Sequence, residues 1–179
     1  MKLIYFLCLP IIISSPLHAD RIWIEKDGIV IMEAERGDYN SKSGNWVQIN
    51  NVERYSGYGY MIWYGESFQD ENNYDVLNNP NNILTFTVKV KNPGTYSLKI
   101  RNYHDQKDGD NDVWVSVNRS DYIKYYDFQQ QQWSWDETCD QIKFELKKGM
   151  NLIKLHGRSP GFAIDRLVMF TEDVPEEIW

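Results

Sequence analysis

Between residues 84 and 90 of this 179-residue chain, hydrophobic residues fall at every second position. Leu84, Phe86, Val88 and Val90 interleave with Thr85, Thr87, Lys89 and Lys91. A period of two sends successive side chains to opposite faces, the signature of a half-buried β-strand. Asn92-Pro93-Gly94 then supplies a turn, and Tyr96, Leu98 and Ile100 alternate with Ser97, Lys99 and Arg101. Val113, Val115 and Val117 repeat the pattern, as do Ile142, Phe144 and Leu146 ahead of a Lys148-Gly149 turn and a strand over 151–156. Ile29 to Glu35 and Ala163 to Phe170 read as the terminal strands, and no segment carries a helical stripe of any length. The expected fold is all-β, a two-sheet antiparallel β-sandwich.

The first nineteen residues stand outside this pattern. Met1-Lys2, the apolar stretch from Leu3 to Ile13 and Leu17-His18-Ala19 together read as a cleavable signal peptide, cut after Ala19. The apolar run is too short to span a bilayer, so no membrane insertion is expected, and the product is secreted or periplasmic. Loss of Lys2 takes the net charge from −7 to −8. Nucleic-acid binding needs clustered Lys and Arg, so that acidic balance argues against it. Of two cysteines, Cys8 leaves with the leader and Cys139 remains, expected as a buried thiol with no internal disulfide to make. Residues 20–170 suffice for one sandwich domain, and 171–179 form an acidic tail.

Two short motifs at opposite ends bear on chemistry. Glu33-Ala34-Glu35 closes the first strand, and Gly161-Phe162-Ala163-Ile164-Asp165-Arg166 opens the last. Three carboxylates among Ile, Val, Leu and Phe repel one another unless a cation lies between them. A hard divalent ion such as calcium, which takes six to eight oxygens, answers that need. The plainer alternative is that the acids face solvent or pair with Arg36 and Arg166.

These motifs, with Tyr55-Ser56-Gly57-Tyr58-Gly59-Tyr60, Pro93-Gly94-Thr95-Tyr96, Asn111 to Val115, Trp133-Ser134-Trp135 and Lys148 to Asn151, follow one another in a familiar order. The chain resembles the carbohydrate-binding modules of families 6 and 35, galactose-binding-like jelly rolls, along nearly its whole mature length. The resemblance implies a structural calcium on Glu33, Glu35 and Asp165, with carbonyls of the 56–60 turn as further ligands. It also implies that an oligo- or polysaccharide stacks on loop aromatics without being cleaved, Trp133 on one side and Tyr58 or Tyr60 on the other. Where many family members carry an asparagine that bonds the sugar, this chain has Ala163. Arg158 or Ser159 is the substitute donor, and Arg158 would suit an acidic sugar unless it makes an ordinary surface salt bridge. Trp46 and Tyr39, in a polar stretch, are further carbohydrate-binding candidates, with a core position as the alternative. A separate carbohydrate-active enzyme is a partner such a module allows.

Other readings remain open on the sequence. A protein-interaction or cell-envelope assembly module could use the same fold, and Ala163 favours it. A small β-sandwich polysaccharide lyase would draw on Arg101, Tyr103, His104 and Lys107, although alternation turns His104 away from Arg101 and Tyr103. The acidic loop from Asp105 to Asp112 is a candidate second calcium site, or a solvated loop in which Asp112 caps the next strand. Asn118-Arg119-Ser120 is a glycosylation sequon. Two histidines and one cysteine after cleavage argue against a zinc site.

Overall fold

The computed structural model describes residues 21–105, 111–135 and 142–175. The segment expected to be a leader, Lys107 and the centre of the acidic loop, Cys139 and the last four residues lie outside them.

The strands are β1 (Ile22–Ile24), β2 (Ile29–Glu33), β3 (Trp46–Ile49), β4 (Tyr60–Trp63), β5 (Ile83–Val90), β6 (Gly94–Tyr103) and β7 (Asp112–Val117). They continue with β8 (Ile123–Tyr126), β9 (Ser134–Trp135), β10 (Lys143–Leu146), β11 (Gly149–Gly157) and β12 (Ala163–Phe170). A single helical turn, α1 (Tyr74–Leu77), is the one α-helix of the described residues. The alternation read from the sequence becomes two facing sheets. One runs β1-β5-β11-β7-β8, the other β10-β6-β12-β4-β3, with β2 added on β12 and β9 on β6. Leu84, Phe86 and Val88 from the first sheet meet Leu98, Ile100, Leu167 and Met169 from the second in one buried core. The all-β sandwich is as expected, with one addition. The short β1 pairs in parallel with β5.

The chain's start joins both sheets, because β1 lies on β5 and β2 on β12. Glu25, between them, is buried, and its carboxylate accepts the backbone N–H groups of Gly28 (2.7 Å), Lys91 (2.9 Å) and Asn92 (3.1 Å). Burial would raise its pKa, yet these hydrogen bonds to the charged form outweigh burial and lower it.

The arrangement along β12 positions the acidic residues. At its start β12 pairs with β4 (Ala163↔Ile62, Ile164↔Met61), and from Arg166 onward it pairs with β2 (Arg166↔Glu33). Its register with β6 slips between Ile164 and Arg166. The bulge shifts the phase of alternation, so that Phe162 and Ile164 before it and Leu167 and Met169 after it all reach the core. Asp165 occupies the irregularity, where β2 ends and β4 begins. The first strand is expected to run through Glu35. The extended strand instead stops at Glu33, and Ala34–Arg36 form a 3-10 turn.

Candidate functional site

Glu33, Glu35 and Asp165 gather around one turn, residues 56–58. Ser56 N–H donates to Asp165 Oδ1 at 2.7 Å, and Tyr58 N–H donates to Glu35 Oε1 at 3.2 Å. The Ser56 hydroxyl lies 2.6 Å from Glu33 Oε2 and 3.0 Å from Asp165 Oδ1, and its single proton can serve only one of them. Gly57 makes the approach possible. It has φ 66°, and a Cβ there would stand 2.4 Å from Glu35 Oε1. Two arginines neutralise part of the charge. Arg166 donates to Glu33 Oε1 from Nη2 (2.6 Å) and Nε (3.1 Å), and Arg101 Nη1 donates to Asp165 Oδ2 at 2.5 Å. Arg36, the other expected partner, approaches Glu35 Oε1 no closer than 3.6 Å.

Glu35 is therefore the least compensated of the three. It is buried, and its Oε2 has no hydrogen-bond partner among the described residues. Burial pushes its pKa up, with the Glu33 charge adding to that and the Tyr58 N–H opposing it. The orphaned oxygen, the glycine cradle and the oxygen-only donor set fit a calcium ion held by Glu33, Glu35 and Asp165. As placed, no three His, Cys, Asp or Glu side chains among the described residues stand close enough to hold a metal, so such an ion requires the carboxylates to close in.

On the same end lies a cleft of about 430 Å³ lined by Val52, Glu53, Arg54, Arg101, Tyr103, Gln131, Gln132 and Trp133. The half-buried Trp133 forms its wall. Its indole N–H donates to Glu53 O at 2.9 Å, Tyr103 packs 5.5 Å away between ring centroids, and Arg101 Cζ lies 5.5 Å from its ring. The loop carrying Trp133 is anchored by Asp127, wholly buried, whose carboxylate accepts from Asn102 Nδ2 (3.1 Å), Gln129 N–H (2.8 Å) and the Ser134 hydroxyl. Gln131 N–H reaches His104 O at 2.8 Å. Arg54 (φ 73°) and Gln131 (φ 58°) both adopt left-handed backbone conformations, which are uncommon away from glycine and gather at functional sites.

Several expected site residues are placed elsewhere. Tyr60 is buried on the outer side of β4, 5.0 Å from the Trp133 ring and steeply inclined to it, with its hydroxyl on Asn51 Oδ1. That spacing is direct ring contact, so no sugar ring fits between Tyr60 and Trp133. Tyr58 is 72% exposed beside the acidic turn, with Arg36 Cζ 4.9 Å from its ring, and does not line the cleft. Trp46 is a core residue, 5.5 Å from Trp63, because the inward phase of β3 outweighs its polar neighbours. Arg158 is an ion-pair partner of Asp112 and lies 5.1 Å from the Trp114 ring, so its guanidinium is not free at the cleft. Ser159 also donates to Asp112, which therefore closes this network rather than capping a strand. Tyr39 is partly buried against the core. Tyr103 faces the cleft while His104 is fully buried, stacked 6.4 Å from Phe162. The cleft roles of Arg54, Gln131, Gln132 and the anchor Asp127 had no signal in the sequence beyond a polar loop of consecutive glutamines.

Solved structures share this fold. A family 35 carbohydrate-binding module from Clostridium thermocellum aligns at TM-score 0.55 and 24% identity over 79% of this chain and 98% of its own. A family 35 module from Paenibacillus barcinonensis aligns at 0.55 and 17% identity with the same coverage. A GH26-CBM35 β-(1,4)-mannanase from Podospora anserina aligns at 0.62 and 18% identity over 84% of this chain and 29% of its own. The chain spans less than a third of that mannanase and of a ruminal GH26 endo-β-1,4-mannanase. The jelly-roll sandwich of family 35 carbohydrate-binding modules is thus the fold of this chain, and the resemblance read from its motifs extends to the whole architecture. No protein-family model matches the sequence, and no curated protein matches it significantly.

Proposed function

We propose that this chain is an exported, non-catalytic carbohydrate-binding module that takes its ligand in the Trp133 cleft. The observation that carries this reading is the cleft itself. An indole on the loop that Asp127 anchors, Trp133, and a phenol at the end of β6, Tyr103, stand side by side, rimmed by the exposed side chains of Arg54, Gln131 and Gln132. A pyranose presents an apolar C–H face that suits an aromatic ring, and its hydroxyls suit amide and guanidinium donors at the rim. The family 35 modules that share the fold support the reading by analogy.

In this proposal calcium on Glu33, Glu35 and Asp165 neutralises the carboxylate excess where β2 gives way to β4. When bound, the ion supplies charge and oxygen coordination that stiffen the 56–60 turn. Export follows from the leader, with cleavage after Ala19, which N-terminal sequencing of the exported product tests.

Calorimetric titration with a panel of neutral and uronate-containing oligosaccharides is the direct test. Saturable heat that disappears in a folded Trp133→Ala variant, but persists in Met150→Ala on the opposite sheet, supports the cleft. New reducing ends or unsaturated products after incubation with polysaccharide would overturn the non-catalytic part. A second reading, a protein-interaction module, is favoured by the Tyr60–Trp133 contact, which removes the two-ring slot. Silence across the sugar panel moves the weight to it.

A further inference from the structure

Arg101 takes part in both the acidic turn and the cleft. It lines the cleft, its Cζ lies 5.5 Å from the Trp133 ring, and Nη1 donates to Asp165 Oδ2 at 2.5 Å and to Arg54 O at 3.0 Å. Its side chain is 21% exposed, whereas that of Asp165 is fully buried. The register sets Arg101 opposite Arg166 on β12 and opposite Trp135 on β9, between the two strands.

We infer that Arg101 is a positioning residue that couples a divalent cation at Glu33, Glu35 and Asp165 to the state of the Trp133 cleft. This rests on the calcium and cleft readings above. Asp165 holds the guanidinium with one carboxylate oxygen while the other accepts from Ser56. A dication drawing on Asp165 divides that carboxylate's charge and repels the guanidinium at short range. Arg54 O still tethers Arg101, so its free path leads toward Trp133 and the open cleft. A guanidinium has five N–H donors, and those not spent on Asp165 and Arg54 then face the hydroxyls of a bound ligand. By linkage, a ligand held there tightens the cation by the same factor. Conversely, Arg101 competes with the cation for Asp165, so its removal raises calcium affinity.

The test uses calcium alone, added to the full mature chain. Calorimetry gives the affinity, and the Trp133 indole N–H resonance, assigned by its absence in Trp133→Phe, reports the cleft. Calcium is expected to shift that resonance in the wild type. In Arg101→Gln, calcium should bind at least about fivefold tighter, the low end of ordinary coupling, and the resonance should no longer respond. Arg101→Lys keeps the competing charge and should restore an affinity within about twofold of wild type. Calcium binding that leaves the Trp133 resonance still, or that is equally tight in Arg101→Gln, overturns the coupling while sparing the calcium site. If calcium gives no binding at all, coupling and calcium site fall together and the cleft reading stands. Should Arg101→Gln not fold, the wild-type resonance and Arg101→Lys decide the matter.

Discussion

Asp165 Oδ2 and Arg101 Nη1 lie 2.5 Å apart at the bulge of β12, with the carboxylate wholly out of water and the guanidinium about a fifth exposed. Removing one partner of such a pair leaves the other charge uncompensated. Asp165→Asn is expected to cost about 3 kcal/mol, the lower end for a buried pair because Arg101 keeps some solvent. Urea unfolding in the presence of a chelator measures it free of any metal contribution.

Metal linkage gives a second expectation. If calcium holds the acidic turn, an excess of 100 times Kd stabilises the fold by about 2.7 kcal/mol. In a domain of this size that raises Tm by roughly 5–10 °C. Glu35→Gln, which removes the least compensated charge, should abolish the calcium-dependent rise while leaving or raising Tm in chelator. A Tm indifferent to calcium and chelator argues against the site.

His156 predicts a pH dependence. Its ring is buried between Trp63 (5.8 Å) and Phe68 (5.4 Å), Nε2 lies 3.1 Å from Val76 O, and burial pushes its pKa down to about 4 from 6.5. Between those values the unfolded chain binds the proton and the folded chain refuses it. Stability from this group is therefore complete above about pH 6.5 and is lost as pH falls toward 4, by about 3 kcal/mol in all. Glu35, with its raised pKa, works in the opposite sense in acid. The measurement is the difference between wild type and His156→Phe at pH 7 and pH 4.5, and a constant difference would refute the assignment.

Gly157 faces the Trp63 ring with no space to give. A Cβ there would stand 1.9 Å from Cδ2 of the indole, which is also hemmed in by Gly65 and buried. Gly157→Ala is expected to destabilise by about 3 kcal/mol, the upper range for an overfilled core. Thermal unfolding and loss of near-ultraviolet tryptophan ellipticity would report it.

What the sequence disclosed follows from physics that acts locally. Period-two alternation made β5, β6, β7 and β10 legible because each strand carries its own record of which face is buried. The convergence of Glu33, Glu35 and Asp165 was legible through a motif and through the cost of grouping like charges. Tyr60 and Trp46 were not. Tyr60 lies on the outer side of a strand, where an alternation argument expects solvent, and is covered by Trp133 from a loop more than seventy residues away. Trp46 has polar neighbours in the chain but Trp63 across the sheet. The ion pair of Arg158 with Asp112 and the anchoring of a loop by Asp127 depend on distant partners that no spacing rule reveals. The bulge at Asp165 left a trace, the change of phase from Phe162 and Ile164 to Leu167 and Met169, which is readable once a strand is known to run through it.

The placement of β12 has a consequence for how the chain is made. It is the shared neighbour of β2, β4 and β6, and it joins Glu33 to a residue 133 positions later. Until residue 170 has been synthesised, three strands with finished hydrophobic faces have no centre to assemble on. Such long-range closure is slow and leaves strand edges open in the interim. A chain released short of β12 would leave the facing edges of β2, β4 and β6 unpaired, an aggregation hazard.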